Sequence, residues 1–250
     1  MRAELSAADA AYARSLVIHE DAHLIGFNKP SGLTVQGGSG VTRSLEDLLA
    51  AFAKSNGKRP RLVHRLDRET SGVIIAARTK PAAAFFSEAF AGRTTRKTYL
   101  ALVCGGAPEA PAGEIALALK KSSRRGLDIM EPAADGQSAL TRYTTLAATP
   151  TAALVELQPE TGRMHQLRAH LAAIGRPIAG DGKYGGLFRI RAVETPSLML
   201  HAAALSVPHP EHDQLTLRAP PPSAFAEAVR SLGLEAGLQG ALEAPSARFT

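Results

Sequence analysis

The chain has 250 residues, of which 45% are hydrophobic and 21% charged, a composition typical of a globular protein with one or two packed domains. Its net charge of +6 and its isoelectric point of about 9.7 favour an anionic partner. The single cysteine, Cys104, excludes an intramolecular disulfide, and no segment has the roughly 18 consecutive apolar residues of a transmembrane helix. We therefore expect a cytoplasmic protein without membrane association.

Short apolar runs separated by turn residues predict many strands and a few scattered helices. Lys29-Pro30-Ser31-Gly32 is typical of a turn, because proline presets φ and glycine permits a positive φ. The predicted strands are 16–18, 24–28, 73–78, 98–104, 114–120, 127–131, 137–147, 152–158, 198–207 and 214–218. The first predicted helix begins at its cap, Ser44, and ends at 56–57. The others are 81–91, 164–174 and 223–232, the last with Ser223 as its cap.

No regular alternation of strand and helix occurs, which favours an α+β fold with a mixed, largely antiparallel sheet. Residues 1–15 are predicted to be a polar lead-in, and 16–232 to form one domain because no linker divides them. Residues 233–250 are rich in Ala, Gly and Pro, which predicts a flexible tail.

One carboxylate, Asp67, lies between Arg65 and Arg68 within His64–Gly72, just before the apolar run 73–77. Neighbouring positive charge favours the ionised carboxylate. Such a group can attack an electrophilic carbon or anchor an arginine. The alternative is a surface loop with solvated charges, since short charged motifs are weak evidence alone.

Basic residues form three clusters, which either line a phosphate-binding surface or are solvated loops. The clusters are Lys54, Lys58, Arg59, Arg61, Arg65 and Arg68; then Arg93, Arg96 and Lys97; then Lys120, Lys121, Arg124 and Arg125.

A second polar motif, Pro159–Leu171, passes from a strand through Gly162 to the start of a helix, and helix N-termini attract anions. On that helix His165 and Arg168 share a face. His165 and His170 are five residues apart and point about 140° from each other, so a helical metal motif is not predicted. Phosphate-binding, dinucleotide-binding and serine-hydrolase motifs are also missing from the sequence, so we expect neither a metal nor a cofactor.

Six motifs, in order over roughly residues 16–218, are similar to those of the RluA family of RNA pseudouridine synthases. Only about fifteen residues precede the matched region, so the chain resembles compact members that lack an N-terminal S4 domain. The motifs are Lys29–Gly32, His64–Gly72, Lys97–Leu100, Gly162–Leu171, Gly180–Gly185 and Leu200–Ala202.

The resemblance implies the pseudouridine synthase catalytic fold, a sheet with helices and loops around a basic cleft. It implies that Asp67 is the catalytic aspartate and that Arg168 pairs with it. Tyr99 would pack against the target base, and it is a candidate for proton removal. Without the resemblance, Tyr99 could be a core aromatic of a strand and Arg168 an exposed helix residue.

The resemblance also implies residues that bind the RNA. Arg65 would help displace the flipped nucleotide, or contact phosphate alone. The other expected RNA-contacting residues are Lys29, His64, Arg163 and His165.

The implied activity is the isomerisation of uridine to pseudouridine in structured RNA, either large-subunit ribosomal RNA or a transfer RNA stem-loop. We expect a monomer that needs no cofactor and does not bind DNA. Two alternatives are a non-catalytic RNA-binding or ribosome-assembly protein, and a hydrolase that releases uracil. The hydrolase would require two carboxylates around one bond, and only Asp67 stands out.

Overall fold

The computed structural model describes residues 5–37, 43–124 and 126–243. The α-helices, in chain order, are α1 (Ala7–Ser15), α2 (Leu45–Leu48), α3 (Lys80–Ala91), α4 (Gln166–Ala173), α5 (Ser223–Ser231) and α6 (Glu235–Glu243). A 3-10 helix, Leu49–Phe52, continues α2. The strands are β1 (Val17–Glu20), β2 (Leu24–Lys29), β3 (Arg61–Leu62), β4 (Ser71–Ala77), β5 (Arg96–Cys104), β6 (Ala112–Ala116), β7 (Leu119–Arg124), β8 (Leu127–Pro132), β9 (Leu140–Ala148), β10 (Ala152–Pro159), β11 (Arg189–Ile190), β12 (Val193–Glu194), β13 (Leu200–His209) and β14 (His212–Arg218).

The described residues group into two compact units, the first comprising those up to 96 together with 202–220. In it β4 pairs antiparallel with β2 and β3, β1 pairs with β2, and β13 pairs with β14. All seven residues of β4 are buried, as its run of Val73, Ile74 and Ile75 predicts. The core of this unit brings one face of β4 against α3, with Phe86 fully buried.

The second unit comprises 97–201 and the described residues from 221 onward. Its main sheet has the order β5-β10-β9-β6 with every pair antiparallel, and β7–β8 and β11–β12 are separate hairpins. The helix α4 packs near β8, where Ala169 joins a small core with Leu119 and Met130. The antiparallel pairs with flanking helices confirm the predicted α+β class. None of the described helices is long and apolar enough to cross a membrane.

Several elements differ from the sequence-based prediction. Part of the predicted lead-in forms α1, which Ser6 caps by accepting a hydrogen bond from the Asp9 N–H. The predicted strand 114–120 is two strands, because Leu119 turns away to exchange backbone hydrogen bonds with Gln137. Pro222, not Ser223, is the cap of α5.

The prediction of a flexible tail is wrong for residues 235–243, because they form α6. Its Leu238 is 8% exposed, and Gly237 approaches Leu146 and Ala147 closely enough that a Cβ there would lie 2.9 Å from the Cβ of Ala147. Burial of Leu238 therefore orders a segment whose composition alone predicts flexibility. The rest of the predicted tail, 244–250, lies outside the described residues.

Candidate active site

The loop that carries Asp67 connects β3 to β4 in the first unit. Leu66 and Thr70 are buried, with 8% and 2% of their surface exposed, and the Thr70 N–H donates to the Asp67 main-chain oxygen at 3.1 Å. Arg65 and Arg68 are exposed, and Asp67 is half-buried. The loop is thus anchored by its apolar and hydroxyl side chains, while its arginines point outward.

Lys29, the last residue of β2, is buried directly against this loop. Its ammonium Nζ donates to the main-chain oxygens of Pro30 at 2.9 Å, Leu33 at 2.8 Å and Arg68 at 2.9 Å. The residue is 0% exposed. The expected contact between Lys29 and the RNA backbone is therefore wrong, because its three donors already have protein acceptors and the side chain is closed off from solvent.

The turn after Lys29 holds the loop through further hydrogen bonds. The Gly32 N–H donates to the Arg68 oxygen at 3.0 Å, and Arg68 Nε donates back to the Gly32 oxygen at 3.1 Å. Ser31 Oγ donates to the Glu69 oxygen at 2.8 Å. Gly32 has a φ of 85°, which glycine adopts without strain. The two sequence motifs thus form one hydrogen-bonded body that fixes the backbone on the C-terminal side of Asp67.

The position of Lys29 perturbs its own protonation. Burial lowers the pKa of its ammonium group from 10.5 to about 7, although the carboxylates of Glu69 and Asp67 oppose that shift. Three carbonyl acceptors match the three hydrogens of the charged form. The loop is therefore held by a buried amine that donates to three backbone carbonyl oxygens and whose charged form is disfavoured by burial.

His64 and Gly72, at the two ends of the motif, have packing roles. The Ile75 N–H donates to His64 Nε2 at 3.0 Å, and the His64 ring stacks on Phe90 with centroids 4.4 Å apart. Gly72 has a φ of 113°, and a Cβ there would lie 2.2 Å from the Ala202 oxygen. Only glycine fits this position. The expected RNA contact of His64 stays a prediction.

The second unit holds Tyr99 and Arg168. Tyr99 lies on β5 opposite Leu157 of β10, and it is half-buried between the buried Thr98 and Leu100. Tyr99 is therefore more accessible than the residues that flank it. This exposure does not favour the alternative that Tyr99 is a core aromatic residue of the strand.

Arg168, on α4, forms a buried bidentate ion pair with Asp181. Its Nε donates to Oδ2 and its Nη2 to Oδ1, both at 2.7 Å, and the two side chains are 7% and 0% exposed. Asp181 Oδ1 also accepts from the N–H groups of Lys183 and Tyr184 at 3.1 and 3.3 Å. The alternative that Arg168 is an exposed helix residue is therefore wrong. Its predicted pairing with Asp67 stays a prediction.

Tyr184 completes the surroundings of this guanidinium. The Arg168 Cζ lies 5.1 Å from the centroid of the Tyr184 ring, which favours a cation–π attraction. The Tyr184 hydroxyl accepts from the Met130 N–H at 2.7 Å and lies 3.0 Å from His165 Nδ1. Asp181 and Tyr184 lie inside the Gly180–Gly185 motif, yet the sequence alone assigned them no role. The signal that could have identified Asp181 is that an arginine, when buried, requires a carboxylate partner.

The start of α4 is held by the side chain of Gln166. The amide oxygen Oε1 accepts from the Arg163 N–H at 3.0 Å and from Thr161 Oγ1 at 2.6 Å. The amide nitrogen Nε2 donates to the main-chain oxygen of Leu140 and to Thr141 Oγ1, both at 3.0 Å. These bonds use the full capacity of the amide. His165, the residue before the helix, has a left-handed φ of 49°. The network thus fixes the helix that presents Arg168.

Two further residues of the motif have clear contacts. His170 is fully buried between Thr141 Oγ1 and the Leu117 oxygen, and burial lowers the pKa of its imidazole. Arg163 Nε donates to the Ser138 oxygen at 3.2 Å. His170 is therefore structural, and the RNA contacts expected of Arg163 and His165 stay predictions.

The basic clusters differ in their pairing. Within the described residues, no ion pair involves the exposed side chains of Lys54, Lys58, Arg59, Arg61 and Arg65, so this cluster keeps its positive charge. The third cluster is largely neutralised, because Lys120, Lys121 and Arg124 pair with Asp135, Asp128 and Glu131. Arg125 of that cluster lies outside the described residues.

No group of three His, Cys, Asp or Glu residues is arranged to hold a metal in the described part of the chain.

The family model described as RNA pseudouridylate synthase matches residues 23–173. The chain therefore belongs to the RNA pseudouridylate synthase family, which confirms the resemblance drawn from the motifs.

Relatives and a solved structure agree with this assignment. Over 195 residues the chain is 39% identical to "RNA pseudouridine synthase 4, mitochondrial" of Arabidopsis thaliana, an alignment that covers 68% of this chain and 41% of that protein. It is 35% identical to "Ribosomal large subunit pseudouridine synthase C" of Vibrio vulnificus, over 88% of this chain and 70% of that one. The structure titled "Human RNA Pseudouridylate Synthase Domain Containing 4" superposes with a TM-score of 0.75 at 30% identity, over 90% of this chain and 97% of that one. The chain thus spans about two fifths of the Arabidopsis relative.

Proposed function

We propose that this protein isomerises uridine to pseudouridine in structured RNA, with large-subunit ribosomal RNA as the first candidate and transfer RNA as the second. Family membership supports the reaction, and the name of the Vibrio relative, a ribosomal large subunit pseudouridine synthase, supports the ribosomal target. The observation that carries the proposal is the loop of Asp67, whose backbone is held by Lys29, Ser31 and Gly32. A carboxylate on so firmly held a loop is suited to chemistry that requires accurate placement.

In the proposed reaction the target nucleotide is flipped out of its stack, and Arg65, an exposed residue of the loop that carries Asp67, is the group proposed to fill the vacated space. The N1–C1′ bond then breaks, the uracil rotates, and C5 bonds to C1′. The proton that C5 loses is balanced by one gained at N1, so the product is an isomer.

Asp67 is the group proposed to act on the sugar, either by attacking C1′ or by removing the 2′ proton to give a glycal. Positive charge develops at the sugar as the glycosidic bond breaks, and a carboxylate stabilises that charge. Tyr99 is proposed to stack on the detached uracil and to retain it. Arg168 is proposed to hold Asp67 ionised and oriented, in addition to its pair with Asp181.

The test combines nucleoside mass spectrometry with tritium release from C5-labelled uridine. Wild type, Asp67→Asn and Glu69→Gln would be incubated with unmodified transcripts of large-subunit ribosomal RNA and transfer RNA. Glu69 is the matched control, because it lies in the same loop and pairs with Arg68 at the surface. We expect pseudouridine from wild type and Glu69→Gln, and none from Asp67→Asn.

Product from Asp67→Asn at the wild-type rate would contradict the catalytic assignment. Tight binding of both RNAs by wild type without product would favour the non-catalytic RNA-binding alternative, and free uracil would favour a hydrolase. The transcript that is modified would identify the substrate class. Monomeric state, lack of DNA binding and a cytoplasmic location stay predictions; the Arabidopsis relative is named as mitochondrial.

A further inference from the structure

Two adjacent apolar side chains, Leu187 and Phe188, are each 54% exposed in the second unit, at the start of the β11–β12 hairpin. They are the most exposed of the large apolar side chains in the described residues. Isolated exposed apolar residues are ordinary, but a neighbouring pair that includes an aromatic ring is a candidate contact surface.

The backbone under these side chains is firmly held. The Leu187 oxygen accepts from the Gly180 N–H and from Thr195 Oγ1, both at 2.8 Å, and the Phe188 oxygen accepts from the Thr195 N–H at 2.8 Å. Thr195 and Ile190 are 0% and 2% exposed. The exposure of Leu187 and Phe188 is therefore a property of an anchored hairpin, and it does not arise from a loosely packed segment.

The tip of the same hairpin carries a strained basic residue. Ile190 pairs with Val193, so Arg191 and Ala192 form a two-residue turn, and Arg191 has a φ of 54°. Turns of this length place a positive φ at their first residue, where glycine, asparagine or aspartate is favoured. An arginine at this position accepts backbone strain that glycine would avoid, an arrangement that points to a role for its side chain.

The charges of the hairpin favour an anionic occupant. Arg189 pairs across the strands with Glu194, which leaves the charge of that pair balanced. Arg191 is exposed and forms no ion pair within the described residues. Phe188, before β11, and Arg191, at the turn, thus give one hairpin an exposed aromatic ring and an uncompensated guanidinium. Such groups bind single-stranded nucleic acid, since bases stack on the ring and phosphates attract the cation.

We propose that this hairpin binds an unpaired segment of the substrate RNA, with Phe188 stacking on a base and Arg191 contacting a phosphate. The inference rests on the proposed function, because it assigns an additional contact to the same RNA. It concerns affinity for substrate and not the chemical step.

The test measures RNA affinity, turnover and stability for Phe188→Ala, Phe188→Tyr and Arg191→Gly. Phe85→Ala is the matched control, because Phe85 is an exposed phenylalanine on α3 of the first unit, 38% exposed. The probes are fluorescently labelled transcripts of large-subunit ribosomal RNA and transfer RNA, titrated over a range of salt concentrations. Nucleoside analysis of the wild-type reaction runs in parallel.

Phe188→Ala is expected to raise Kd and KM by about 5- to 100-fold with kcat unchanged, because stacking contributes that much per base. Phe188→Tyr retains the ring and is expected to bind as wild type does. Arg191→Gly is expected to weaken binding and reduce the salt slope by about 1, while its melting temperature stays equal or rises as the strained φ is relieved.

Wild-type affinity in both Phe188→Ala and Arg191→Gly, while wild type still makes pseudouridine, would overturn this inference and leave the proposed function intact. A lower melting temperature in Arg191→Gly would overturn it in favour of a structural role for the arginine. A change of oligomeric state in Phe188→Ala by sedimentation would overturn it in favour of a contact between two copies. Absence of pseudouridine from wild type would overturn the proposed function and this inference with it.

Discussion

Lys29 Nζ donates a 2.9 Å hydrogen bond to the main-chain oxygen of Arg68, the residue that directly follows Asp67. This bond joins the end of β2 to the loop of Asp67, and its two residues are 39 apart in the sequence. The lysine thus holds the backbone of the Asp67 loop by a hydrogen bond. Its role is that of a positioning residue.

Lys29→Met is expected to lower kcat by at least about tenfold while RNA affinity stays near that of wild type. The variant removes the donor from the buried oxygens of Pro30, Leu33 and Arg68, so the loop loses its support, and unpaired buried acceptors cost about 1–3 kcal/mol each. Steady-state kinetics and RNA titration would be compared with Lys54→Met, which changes an exposed lysine of the same unit. Reduced affinity with intact kcat in Lys29→Met would indicate a direct RNA contact instead.

The buried lysine also makes stability depend on pH. Its pKa falls from 10.5 to about 7 on folding, so between those values the unfolded chain binds more protons than the folded protein. Stability of wild type relative to Lys29→Met is therefore expected to rise as pH increases from about 7 to about 10. Urea unfolding of both proteins at several pH values measures this difference, and a difference independent of pH would contradict the shift.

Asp181→Asn is expected to destabilise the protein by about 3–5 kcal/mol, because it removes the carboxylate from a buried bidentate pair with Arg168. Asp135→Asn is the control, since it makes the same chemical change in the exposed pair with Lys120 and is expected to cost less than about 1 kcal/mol. Urea unfolding gives both values. Equal effects of the two substitutions would show that burial of the Arg168 pair has little energetic consequence.

Gly72→Ala is expected to prevent soluble expression. Its φ of 113° disfavours any side chain, and the added Cβ would meet the Ala202 backbone at 2.2 Å. Gly57 also has a positive φ, of 77°, but open space around the new atom, so Gly57→Ala measures the cost of a left-handed backbone without a clash, about 1–2 kcal/mol. Expression yield and melting temperature check both, and a well-folded Gly72→Ala protein would contradict the close packing against Ala202.

The strands that the sequence predicted correctly are those with strong local signals. β4 contains three consecutive β-branched residues, and β2 and β10 are likewise short apolar runs between turns. α6 was missed because Gly and Ala dilute its apolar pattern, and its order depends on the burial of Leu238. Tertiary packing, which no local pattern encodes, decides such elements.

The candidate site likewise contains residues that the sequence indicated and contacts that it did not. Asp67 was selected as a candidate because its motif is contiguous in the sequence, and Arg168 because its helix carries a second motif; the catalytic roles of both stay predictions. The burial of Lys29 was missed, since a lysine at a strand end ordinarily extends into solvent. The Arg168–Asp181 pair was missed because its two members are thirteen residues apart and belong to different motifs. Three-dimensional contacts were needed to assign both.

Acid stability is expected to depend on Asp21, in the turn between β1 and β2. Burial opposes ionisation of this carboxyl, but hydrogen bonds from His19 Nε2 and from the Leu24 and His23 N–H groups outweigh it and lower its pKa to about 2. Since the folded pKa lies below the ordinary 3.8, the contribution of Asp21 is complete above about pH 4 and is lost as pH falls towards 2. Asp21→Asn should therefore be less stable than wild type at pH 7, and the gap should narrow in acid. Urea midpoints at pH 7, 4 and 3 measure that gap, and a constant gap would show that Asp21 contributes through hydrogen bonding that does not require its charge.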